Sequence, residues 1–141
     1  MRKFEIEEKI RPLVDALNET GVLTTFSSCE GHFSLYEQEL QDRNYADVRF
    51  DLLESISESK LELFLTYLMT EFNNKHSFTP VQLTAFKYYI PTMGSDELKI
   101  DASYMIKIEP FDRFDSPEIK RSNVDVAILQ ATELVKDWQK K

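Results

Sequence analysis

The sequence predicts a single α+β domain over residues 1–141, a mainly antiparallel four-stranded sheet with helices packed on one face. Three observations lead there. Apolar residues recur at helical spacing in three separate stretches, and in others they alternate with polar residues, as in strands with one buried face. The stretches fall in the order α-β-β-α-β-β-α, two αββ units and a closing helix. No repeat, low-complexity tract or linker rich in Pro, Gly or Ser interrupts them.

The first helix is read from Phe4, Ile6, Ile10, Leu13, Val14 and Leu17, with Pro12 marking a kink or a late start. Gly21 stands where a helix commonly ends in a left-handed residue. "VLTTFSSC" follows as a β-branched and aromatic strand. In "YADVRFDL", Ala46, Val48, Phe50 and Leu52 face one way and Asp47, Arg49 and Asp51 the other. Ser55, with Glu58 three residues later, resembles a capping box and opens a helix with Leu61, Phe64, Leu65, Leu68 and Phe72 on its apolar face. "VQLTAFKYYI" is the third strand, and Pro91 with "MGSD" the turn after it. In the fourth strand, Leu98, Ile100, Ala102, Tyr104, Ile106 and Ile108 are expected to point inward. Ser116-Pro117 starts the last helix, whose stripe runs from Val124 to Trp138.

Composition narrows the function classes. One cysteine rules out an internal disulfide, and no secretory pattern opens the chain, so the expected location is cytoplasmic. No stretch approaches the ~20 apolar residues of a membrane helix. Net charge is −8, and Glu30 to Glu62 holds nine acids against three bases. Such a field repels phosphate backbones and argues against non-specific nucleic-acid binding.

The stretch with the most chemistry is "TTFSSCEGH", Thr24 to His32. It holds the only cysteine, one of two histidines and one of three glycines. Gly31 serves the tight turn after the first strand or the close approach of a ligand to backbone. Ser27, Ser28 and the amides around Gly31 can form an anion nest. Cys29 and His32 have the spacing of a metal pair, but a closed zinc site wants four ligands and only His76 remains of those types, so no metal is expected. As a nucleophile Cys29 would need a lowered pKa, which the acidic surroundings oppose. Glu30 and His32 are the candidate proton-transfer groups. Arg49 is the candidate cation, on a strand face that is either a cleft wall or a solvated surface. Tyr88 and Tyr89 either stack on a planar ligand or pack locally.

Ser27-Ser28-Cys29-x-Gly31 after an apolar strand resembles the signature of the tRNA wybutosine-synthesis methyltransferase family. The resemblance implies an S-adenosylmethionine cofactor and an RNA substrate. It covers about five residues, and His32 stands where that family has a basic residue.

The leading expectation is therefore a small protein that binds a small polar, anionic ligand at the Ser27–His32 turn, with its status as an enzyme open. The alternatives are an S-adenosylmethionine-dependent RNA-modifying enzyme and an acidic protein-interaction module without a catalytic site. Neither the oligomeric state nor the identity of a cofactor follows from the sequence.

Overall fold

The computed structural model describes residues 6–31, 44–94, 97–112 and 114–138. The sequence-predicted site residue His32 and the stripe residue Phe4 lie outside them. Among the described residues are three helices and four strands, in the predicted order.

Helix α1 spans Arg11–Asn18. It starts late, with Pro12 in the first turn, where a missing N–H leaves no intrahelical bond broken. Leu13, Val14, Ala16 and Leu17 are buried, and Gly21 takes φ +74° after the helix end. Strand β1 is Leu23–Cys29 and β2 is Ala46–Leu52. Helix α2, Glu58–Lys75, buries Leu61, Phe64, Leu68 and Phe72. Its cap is Ser57, whose Oγ accepts the Lys60 N–H at 3.2 Å, rather than the expected Ser55. Two serines lie two residues apart, and the backbone turn at Leu53–Ile56 decides which one meets the open helix end.

Strands β3 (Val81–Met93) and β4 (Leu98–Pro110) form a long hairpin, and α3 (Pro117–Trp138) closes the chain. The sheet order is β1-β2-β4-β3, with every neighbouring pair antiparallel. Pro91 lies within β3, not in the turn. An edge strand tolerates it because the outer side of the strand needs no donor.

One face of the sheet makes the core. Ala46, Val48 and Phe50 of β2 and Tyr104, Ile106 and Ile108 of β4 are buried against all three helices. The Phe50 and Tyr104 rings stack with centroids 5.5 Å apart. Trp138 ties α3 to α2 through an edge contact with Phe64 and a tilted ring contact with Tyr67, and Tyr67 Oη donates to the Leu134 carbonyl at 2.8 Å. No helix among the described residues packs on the opposite face, on which Asp47, Arg49 and Asp51 sit. No helix among the described residues is long and apolar enough to cross a membrane.

The hairpin departs from expectation. Strand β2 pairs with β4 only as far as Tyr104, while β3 and β4 continue together for five more pairs past the Tyr88–Ser103 pair. Leu98, Ile100 and Ala102 are therefore exposed, not inward: alternation puts them on the core side of the sheet, but no helix among the described residues reaches that far.

Candidate functional site

Strand β1 is irregular. Between Thr25 and Ser27 its register with β2 shifts by one residue, a bulge at Phe26. Ser27 then lies opposite Arg49, Ser28 opposite Val48 and Cys29 opposite Asp47. Strict alternation from Leu23 would have turned Cys29 toward the core; the extra residue puts it on the open face beside Asp47.

The residues of the turn are held by their neighbours. The Glu30 N–H donates to Glu7 Oε1 at 2.8 Å, and Glu30 Oε1 accepts the Lys9 N–H at 2.7 Å. These two bonds fasten the segment before α1 to the end of β1. The Gly31 amide donates toward the Cys29 sulfur. Two of the amides offered for an anion nest are thus already engaged within the chain.

Gly31 takes φ +93° and is buried. A Cβ there would run into the Arg121 guanidinium and would lie 2.8 Å from the Tyr45 carbonyl oxygen. The group that approaches the backbone here is a side chain from α3, ninety positions along the chain, and not a ligand. Arg121 Nε donates to Asp125 Oδ1 at 3.1 Å, and Asp125 Oδ2 accepts from Lys9 Nζ at 3.2 Å. Arg121 Nη1 and Nη2 are shielded from solvent and have no hydrogen-bond partner among the described residues. A shallow groove along α3 adjoins Arg121, with Ser122, Asp125, Val126 and Leu129 in its walls.

Arg49 belongs to a different part of the site. It lies exposed on the open face, with Nε 3.9 Å from Asp47 Oδ1. The Asp47 carboxyl is nearly enclosed, and burial pushes its pKa up; Arg49 and Lys107 pull it down and Glu7 raises it further. Lys107 Nζ sits 4.5 Å from the centroid of the Tyr45 ring.

Burial is also the first cause that pushes the Cys29 thiol up, with Glu7 and Asp47 adding to it; the Gly31 amide and Arg121 act the other way. A thiol held above its ordinary value is protonated near neutral pH and is a poor nucleophile. The acids responsible are Glu7 and Asp47, brought from other elements, rather than the adjoining Glu30. Among the described residues no group of three or more His, Cys, Asp and Glu side chains could hold a metal ion.

Ser27, Ser28, Cys29, Glu30 and Gly31 are gathered at one end of β1 by sequence adjacency, and β-pairing brings Arg49 opposite Ser27. Glu7, Lys9, Arg121 and Asp125 are the residues that sequence reasoning missed. Arg121 and Asp125 have the i, i+4 spacing of a helical ion pair, which marks them as partners of each other. Nothing in the linear order ties them to Gly31.

The fold and this site define a two-layer α+β protein with a charged turn at one end of its sheet. No family model matches the chain, and comparison with curated proteins and with solved structures also returned no match.

Proposed function

We propose that this chain binds a small polar, anionic molecule at the turn that closes β1, with Arg121 as its positive charge. The observation that carries the reading is the unmet hydrogen bonding of Arg121 Nη1 and Nη2 beside Gly31. A buried donor without an acceptor costs roughly 1–3 kcal/mol, and more when charged. An anionic oxygen taken in beside Gly31 removes that cost. The two free nitrogens also offer the two-point fork that guanidinium presents to carboxylates and phosphates. Glu7, Glu30, Asp47 and Asp125 surround the turn, so a singly charged anion suits it better than a multiply charged one. Cys29 acts in this reading as part of the wall, and Cys29→Ser keeps binding.

Thermal unfolding with acetate, inorganic phosphate and S-adenosylmethionine, each added separately, tests the reading. A ligand at a hundred times its Kd stabilises the native state by about 2.7 kcal/mol, a rise in Tm of roughly 5–10 °C. The expected result is a rise with acetate or phosphate that disappears in Arg121→Met. That variant itself should fold, since it replaces a poorly satisfied guanidinium by an apolar chain of similar length. No rise with either anion, or a rise retained in Arg121→Met, defeats the proposal. A rise with S-adenosylmethionine alone favours the RNA-modifying alternative.

A further inference from the structure

The β3–β4 hairpin runs past the rest of the sheet as a two-stranded arm, Tyr88–Met93 against Leu98–Ser103. Its two faces differ. The face continuous with the open side of the sheet carries Ile90 with Thr92, Lys99 and Asp101, and a hydrogen bond runs from Thr92 Oγ1 to Asp101 Oδ2 at 3.3 Å. The face on the helix side carries three cross-strand pairs: Tyr89 with Ala102, Pro91 with Ile100, Met93 with Leu98. All six are apolar or aromatic, and Tyr89 is 63%, Met93 73%, Leu98 60% and Ile100 58% exposed. A lone two-stranded ribbon is at best marginal in water, and an apolar stripe on it adds a penalty that burial would remove.

We infer that this stripe is a homodimer interface, in which the arms of two copies pack face to face in opposite directions. Area is the first argument. The four large side chains with Pro91 and Ala102 present roughly 500–600 Å² of apolar surface, so two copies bury about 1,100 Å², just above what a specific interface needs. Shape is the second. A two-fold axis through the Pro91–Ile100 pair sets the bulky Tyr89 of one copy over Met93 of the other, and the small Ala102 over Leu98. Each contact is thereby made twice, reciprocally, as a two-fold interface requires.

Charge is the third argument. Glu97 stands at the tip of the arm, and Lys87 at its base, where it is held 2.7 Å from Glu58 Oε2 and over the Tyr89 ring. Lys87 is thus already neutralised by Glu58, and the contact between copies depends on no ion pair. Elsewhere two chains of net charge −8 repel each other. Salt screens that repulsion and leaves the apolar contact, so the dimer tightens as salt is added.

Sedimentation equilibrium of the full chain at about 100 μM, in low and high salt, reads the mass directly. The expected mass is twice that of the chain, with tighter association in high salt. Met93→Lys and Ile100→Lys should each weaken the dimer by roughly 100-fold or more, because each copy then brings a lysine into the apolar contact. Thr92→Lys, on the other face of the same strand, should leave it intact. Circular dichroism confirms that all three variants are folded. A monomer under both salt conditions overturns the inference, as does a dimer that survives both lysines or one that Thr92→Lys disrupts equally.

Discussion

Gly31 is the residue at which backbone and tertiary packing impose the same demand. Its φ of +93° is costly for any side chain, and the space a Cβ would take is filled by Arg121 and the Tyr45 carbonyl. Gly31→Ala is therefore expected to destabilise the protein by about 1–3 kcal/mol in chemical denaturation. Pairing it with Arg121→Ala should recover part of the loss, since the guanidinium can be removed whereas Tyr45 O and the backbone angle stay. Full additivity of the two changes would show that Arg121 does not press on this glycine.

Asp47 gives a second test at the scale of the residue. Its folded-state pKa is raised, chiefly by burial, so ionisation is harder in the native protein than in the unfolded chain. Native stability from this group is full below the unfolded carboxylate pKa and is lost as pH rises through the folded one. Asp47→Asn should make the protein more stable than wild type at pH 7, and the difference should close near pH 3. A variant less stable at pH 7 would mean that the Arg49 and Lys107 attractions outweigh desolvation.

Among the elements, α2 shows how a helix start is chosen. Ser55 and Ser57 are both good caps by residue type, and Ser57, with its extended backbone of φ −75° and ψ 151°, is the one whose Oγ reaches the open N–H of Lys60. Ser57→Ala should cost about 1 kcal/mol, while Ser55→Ala stays within ~0.5 kcal/mol of wild type. Equal losses in urea titrations would contradict the assignment. The same first turn carries Glu58, which accepts from both Lys87 and Tyr104 at 2.7 Å and so fastens the helix start to the base of the hairpin. These two bonds hold its carboxyl below the usual carboxylate range.

Across the whole molecule the sheet serves two purposes along its length. From Ala46 to Phe50 on β2, and from Tyr104 to Ile108 on β4, it is one wall of a core with three helices opposite. Beyond Tyr104 it leaves the core behind. Replacing Ile90 through Asp101 by Asn-Gly, a two-residue turn between the paired Tyr89 and Ala102, removes no buried residue among those described. The shortened protein should keep monomer stability within about 1 kcal/mol. A loss of several kcal/mol in denaturant unfolding would show that the arm supports the core.

Periodicity alone determined the fold class, the element order and most of the core, because the 3.6- and 2-residue repeats record which side of each element meets apolar neighbours. Phe64, Leu68, Val48, Phe50, Ile106 and Ile108 were legible for that reason. The Ser27–Gly31 turn stood out through its residue types, and Gly31 through being a glycine left without another task, but the side chain that packs against it was not legible. Tertiary structure decided the rest. Alternation in β4 continues through Leu98 and Ile100 whether or not a helix lies above them, so sequence could not tell a covered strand from a bare arm. The bulge at Phe26 reversed the side that Cys29 faces, since one inserted residue inverts a period of two. Arg121, Glu7 and Asp125 came to the turn only through packing of α3 and the segment before α1 on the end of the sheet. Their distance along the chain carries no trace of that contact, because long-range proximity is set by how layers pack and not by the local pattern that each element shows.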